Sequence, residues 1–229
     1  MESQHPVAVL KEATMSIVHH SRSELAENLS AGSWQSILFN EFTAALTSET
    51  RPFPCIFGVH GFRANQLRFA FCDPFDAYSM APILEDYIIK ARQYGPNTSL
   101  VLFARPGPIL AIEKYRKRFW TILRDLSQID QYPWPSSIPE EIDHPEWEFC
   151  FAGEPIFVVC NTPAHILRQS RRSSGFMMTF QPRWVFEKIL GTEKTHAIST
   201  GKVREKLANF DLIDASPSLG RYGEIGNRE

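Results

Sequence analysis

The sequence predicts an α+β fold, a single domain in which a mostly antiparallel sheet is flanked by helices. Short apolar runs come in pairs joined by tight polar turns, the pattern of neighbouring antiparallel strands. Other segments space their apolar residues at helical intervals. The two kinds do not alternate in the regular strand–helix–strand order that a parallel sheet requires. With 229 residues, 43% of them hydrophobic, the chain can bury a core without disulfides or metal.

Residues 1–30 read as a loosely packed N-terminal segment that ends in a helix at "SELAENL", and residues 31–229 as one domain. Ser33 is placed to cap a helix over "WQSILFNEFTAALTS", with Trp34, Ile37, Leu38, Phe42 and Ala45 on its apolar side. "RPFPCIFGVHGF" and "QLRFAFCD" read as two strands joined by the turn "RAN", with Pro54 at a strand start or edge. "AYSMAPILEDYIIKARQYG" is a helix that buries Met80, Leu84, Tyr87, Ile88 and Ala91 and ends at Gly95. "SLVLFARP" is a short strand stopped by Pro106. "ILAIEKYRKRFWTILRDLSQI" is an amphipathic helix with a buried stripe of Ile112, Tyr115, Phe119, Ile122, Leu123 and Leu126. Its charges read as a solvated face.

Four prolines in "QYPWPSSIPEEIDHP" exclude a regular helix or a central strand. "EWEFCFAG" and "EPIFVVC" form a strand pair around Gly153. Strand parity puts Trp147, Phe149 and Phe151 on one face and Glu146, Glu148 and Cys150 on the other. "GFMMTFQP" is another strand, "RWVFEKIL" starts a helix after Pro182, and "TGKVREKLANF" is the last helix.

Composition narrows the function. The 24 basic and 26 acidic residues leave a formal charge of −2, so nucleic acid is not the expected partner. No apolar run approaches the length of a membrane span, and the start of the chain lacks the pattern of a signal peptide. A cytoplasmic, soluble protein is expected. The cysteines at 55, 72, 150 and 160 form no CxxC pair and no zinc-module spacing. Each lies in an apolar, strand-like stretch and reads as a free thiol, with Cys160 as a weaker candidate thiolate ligand. Seventeen Phe and five Trp fit a large aromatic core or a pocket for a flat, apolar ligand.

The chemistry concentrates in "NTPAHILRQSRR", residues 161–172. Thr162 suits an N-cap and Pro163 a first helical position. A helix over 163–172 would put His165, Arg168 and Arg172 on one face and Arg171 elsewhere. Three readings follow: a solvated basic side, an anion site with His165 as general base, or His165 on a haem iron with arginines on the propionates. His144 could be a second ligand, a distal polar group or a loop anchor bonded to backbone. Arg183, at a strand-to-helix turn, could reach an anion. Glu148, or Glu154 in a hairpin turn, could hold a cationic substrate. No nucleotide loop, HExxH, GxSxG or carboxylate facial triad is present.

"HPEWEFCFAGEPIFVVCNTPAHILRQSRRSSGFMMTFQPRWVFE" closely resembles the signature of the YqcI/YcgG family, and "PCIFGVHGFRANQLRFAF" and "SPSLGRYGEIGNRE" resemble further family segments. The resemblance covers roughly residues 30–229. It implies a haem-dependent N-hydroxylase, a monooxygenase acting on a guanidino or amino nitrogen of a small amino-acid-like substrate. The partners then expected are haem b with its iron, molecular oxygen or peroxide, and an external reductase. Within that expectation His165 ligates the metal, Arg168 and Arg172 hold the propionates, and His144, Arg183 and Glu154 serve catalysis. The choice of His165 rests on the basic face, not on the resemblance. The alternative is a haem-binding or anionic-ligand-binding protein without oxygenase activity.

Overall fold

The computed structural model describes residues 19–189 and 193–215. Helix α1 (Arg22–Asn28) opens on a capping box in which Ser21 and Glu24 each satisfy the other's backbone N–H. Helix α2 (Trp34–Thr47) is capped by Ser33, whose hydroxyl accepts from the Ser36 N–H at 3.2 Å. The next segment departs from the expected strand: residues 56–63 form helix α3 (Ile56–Arg63). Cys55 Sγ caps it by accepting from the Gly58 N–H at 3.3 Å, and His60 therefore lies on a helix rather than at a strand end. Two glycines and the β-branched Ile56 and Val59 disfavour a helix locally. Tertiary contact overrides them: Phe62 is fully buried, and a Cβ on Gly61 would lie 2.2 Å from the Asn97 carbonyl oxygen.

The remaining elements are β1 (Arg68–Cys72), α4 (Ala77–Tyr94), β2 (Leu100–Ala104), α5 (Ile112–Ile129), β3 (Phe149–Phe151), β4 (Glu154–Asn161), β5 (Met177–Pro182), α6 (Arg183–Ile189) and α7 (Glu193–Phe210). Among the described residues five strands form one sheet in the order β1-β2-β5-β4-β3. Only β1 and β2 run parallel; the other three pairings are antiparallel. This is the α+β, mostly antiparallel arrangement expected. Strand β2 is buried at every position, which accounts for its unbroken apolar run. The β3–β4 turn places Ala152 at φ 51° and Gly153 at φ 73°, the two positive dihedrals of a tight type I′ hairpin.

The sheet has a core on each face. On one, α4 and α5 bring Leu84, Tyr87, Ile122 and Leu126 against Leu102, Met178, Phe180 and Ile156. Of the predicted α5 stripe, Tyr115, Ile122, Leu123 and Leu126 are buried and two residues are not. Ile112, in the first turn, is 40% exposed, and Phe119 packs at the edge of the cluster. On the other face Leu25, Leu38, Phe39 and Phe62 cover Phe69, Val101, Phe103 and Met177. Farther along that face, towards β4, cover thins: Val159, Thr179 and Gln181 are half-buried and Phe157 is 48% exposed.

Candidate functional site

Residues 161–173 form a closed loop, not the helix expected. A β-bridge joins Thr162 to Arg172. The Thr162 N–H donates to the Arg171 carbonyl at 3.0 Å and the Thr162 carbonyl accepts from the Ser173 N–H at 3.4 Å. These bonds use backbone groups at both ends that a continuous helix would need, and only a 3₁₀ turn at Gln169–Arg171 remains. His165, Arg168 and Arg172 therefore share a loop rather than a helical face.

Asp211, just beyond α7, pins the loop. Its carboxylate accepts from the Ser170 N–H at 2.7 Å and the Ser170 hydroxyl at 2.9 Å. Arg168 Nη1 lies 3.9 Å from the same carboxylate, so this cation has an internal counter-charge. Arg172 is exposed. His165 is half-buried, with Nδ1 3.0 Å from Thr162 Oγ1, which also accepts from the Ala164 N–H at 3.1 Å. When Nδ1–H donates to that oxygen, the ring is oriented and Nε2 is the nitrogen with a lone pair.

His144 has the opposite polarity. It is exposed, and its Nδ1 accepts from the Glu146 N–H at 3.1 Å. Its N–H and carbonyl bond to the Glu141 carbonyl and the Trp147 N–H. Nδ1 thus serves as a backbone anchor for the proline-rich loop. A neutral ring that accepts at Nδ1 carries its proton on Nε2, which removes the lone pair a metal would take.

A third group surrounds Arg183. Its guanidinium lies 3.6 Å from Glu148 Oε2 and 3.3 Å from Glu187 Oε1. Glu148 Oε2 is buried and accepts no hydrogen bond from the described residues. Burial pushes the Glu148 carboxyl above its ordinary value, Arg183 opposes that shift, and Glu187 adds to it. Beside it, burial drives the Cys150 thiol up to about 12, so Cys150 is an inert thiol. Glu154 pairs with Arg92 at 3.2 Å, and the Arg92 guanidinium sits 4.8 Å from the Trp184 ring centre. Arg92, Gly95, Pro96, Trp184 and Glu187 line a shallow open groove there.

The candidate residues do not converge on one point. Glu154 starts β4 and the His165 loop follows its end; seven residue steps at about 3.3 Å separate those ends by about 23 Å. Glu148 lies one step beyond the Phe149–Ile156 pair, level with mid-β4. Strand alternation turns it away from the Phe149 core towards the partly open face that carries Phe157. Three residues that the sequence pattern does not single out shape these groups: Asp211, Arg92 and Glu187. Asp211 and Arg92 act through contacts distant in sequence that no local motif marks, whereas Glu187 pairs with Arg183 at an i,i+4 spacing that the sequence does carry. No disulfide joins the four cysteines, all of which lie among the described residues, and Cys55 caps a helix instead of lying in a strand. Among the described residues no three His, Cys, Asp or Glu side chains form a metal cluster. No described helix is long and apolar enough to cross a membrane. The tail quoted above, 216–229, lies outside the described residues.

Comparison with known proteins adds kinship to this geometry. The model of the YqcI/YcgG family matches residues 42–229. The protein YqcI of Bacillus subtilis (strain 168), described as uncharacterized, is 41% identical over 204 residues, 86% of this chain and 80% of that protein. YcgG of the same organism, also described as uncharacterized, is 39% identical over 94% of this chain and 86% of its own length. A Streptomyces lavendulae protein named "Putative N(omega)-hydroxy-L-arginine synthase DcsA" is 26% identical over 89% of this chain and 79% of its own length. No solved structure matches the chain.

Proposed function

Because the chain belongs to the YqcI/YcgG family, we propose that it is a haem-dependent N-hydroxylase acting on a guanidino or amino nitrogen of a small amino-acid-like substrate. The observation that carries this proposal is the similarity, along 89% of the chain, to a relative whose name specifies N-hydroxylation of arginine. That similarity supports an enzyme with an amino-acid-like substrate. Haem and the residue roles are our extension.

The residues fit the group unequally. His165 fits best: with Thr162 engaging Nδ1, a metal bond falls to Nε2, and the outer bond strengthens the imidazole as a donor. Haem b, when bound, supplies the activation of dioxygen or peroxide that oxygen transfer requires. Arg168 and Arg172 are the proposed propionate partners. Arg168 would divide its charge between a propionate and Asp211, so Arg172 carries the larger share. Glu148 is our proposed holder of the substrate cation and acceptor of its proton, since burial already raises its proton affinity; it stands opposite Phe157, about 13 Å along β4 from the end that leads into the His165 loop, so the substrate and the haem together must span that distance. Arg183 holds that carboxylate in place. Glu154 is committed to Arg92 at the far end of β4 and takes no part at the reacting nitrogen. His144 organises the adjoining loop.

Haem titration followed by absorption tests the assignment. Haem added to the purified chain is expected to give a Soret band at one equivalent. His165→Ala should abolish or shift that band, and His144→Ala should leave it nearly unchanged. No Soret uptake by the wild type, or the reverse order of the two variants, would overturn the haem assignment.

A further inference from the structure

We propose that His19 is a pH-sensitive latch: a second proton on its buried imidazole releases residues 19–21 from α4 and from the outer edge of β1. The latch is independent of the haem assignment.

The latch sits at the edge of the sheet, where β1 is the outermost strand. On its outer side the His20 N–H and carbonyl exchange hydrogen bonds with the Phe69 carbonyl and N–H, both at 2.8 Å. These bonds cover backbone groups that a strand edge otherwise presents unpaired. Alternation along the chain turns the preceding side chain, His19, towards α4. Its ring meets Tyr87 and Tyr94 edge-on, at centroid distances of 6.1 and 5.5 Å, and the side chain is only 7% exposed. Ser21 caps α1, so the buried ring, the bridge and the helix start lie within three residues.

The ring is held in its neutral form. Nε2 lies 3.2 Å from Asp86 Oδ2 and 3.4 Å from the Tyr94 hydroxyl, so Nε2 carries the proton and Nδ1 the lone pair. Nδ1 is buried and has no hydrogen-bond partner among the described residues. A second proton would go there and would hold a positive charge out of water. The charges facing the ring oppose it. Arg68, on β1, lies 3.8 Å from the Tyr94 ring centre. Lys90, on α4, already pairs with Asp86 through Oδ1. Glu24, on α1, is engaged by the Ser21 N–H and hydroxyl at 2.7 Å each. A protonated His19 would be a third cation around the one carboxylate, Asp86. Burial lowers the proton affinity of the ring below the ordinary 6.5; Asp86 and the residue's own backbone oppose that shift, and Arg68 and Lys90 add to it. The neutral ring therefore holds the latch above pH 6.5, and the hold is lost as pH falls through the lowered folded value. Release lets water reach both ring nitrogens.

The test follows amide hydrogen exchange of the full chain from about pH 8 to about pH 5, with the Phe69 N–H as reporter. Protection factors remove the intrinsic pH dependence of exchange. In the wild type they should fall below pH 6.5 at a rate approaching tenfold per pH unit, the limit for one proton. His19→Phe keeps an edge-on aromatic ring and cannot titrate, so its Phe69 protection should change by less than about twofold over that range. His20→Gln keeps the backbone bridge and His19, and should respond like the wild type. The His19 ring signal in wild-type NMR spectra should titrate below 6.5, together with the loss of protection, and this measurement decides the matter if His19→Phe does not fold. Protection that does not vary with pH would overturn the latch, as would an equal fall in His19→Phe or a response that disappears in His20→Gln. So would a ring that titrates at or above 6.5, because the charged form would then tighten the latch.

Discussion

At the scale of single residues, two carboxylates make opposite contributions. Asp211 is buried and fully used, accepting both the N–H and the hydroxyl of Ser170. Asp211→Ala strands those buried donors and should cost about 1–3 kcal/mol, read by urea denaturation together with faster hydrogen exchange at the Ser170 amide. An Asp211→Ala protein of unchanged stability would show that the loop is held elsewhere. Glu148 is the reverse case, because burial raises its folded value above the ordinary 4.5. The folded protein then binds the proton more tightly than the unfolded chain. Stability falls as pH rises from about the ordinary value through the raised one. Glu148→Gln should flatten that part of the stability–pH curve, as chemical denaturation across it would show. An unchanged slope would mean that Arg183 already neutralises the burial cost.

At the scale of elements, what was legible in the sequence depended on how local the cause is. Ser33 caps α2 and Gly95 closes α4 where the pattern placed them, because capping and periodicity act within a few residues. The β3–β4 hairpin was legible through Gly153 for the same reason. Helix α3 was not: its glycines and branched residues spell a strand, and its helix depends on Phe62 in the core and on close approach to Asn97. Gly61→Ala should therefore destabilise by about 1–3 kcal/mol or more, measured by thermal or urea unfolding. A neutral effect would deny that the contact selects the helix. The 161–173 loop misled in the other direction. Thr162 and Pro163 make a sound local start signal, but the Thr162 bridge to Arg172 and the Asp211 clamp come from residues distant in sequence.

At the scale of the whole molecule, the sheet decides which residues can act together. Its fold class was legible from paired strands. Its order, with β5 between β2 and β4, was not, because no local pattern specifies which strands become neighbours. That order brings the His165 loop and the 105–118 segment to one end and sends Glu154 about 23 Å away along β4. The core that fixes this frame is dense, and Leu126 is fully buried in it. Leu126→Ala should cost about 2–5 kcal/mol and lower haem uptake only as far as it lowers the folded fraction. The central claim is N-hydroxylation, and product analysis tests it most directly. The haem-loaded chain is incubated with L-arginine and other amino-acid amines and guanidines, reductant and ¹⁸O₂, and products are resolved by mass spectrometry. The account predicts a product carrying one labelled oxygen on nitrogen, formed only when haem is present and lost in His165→Ala. No such product from any of these substrates, or the same product without haem, would contradict it.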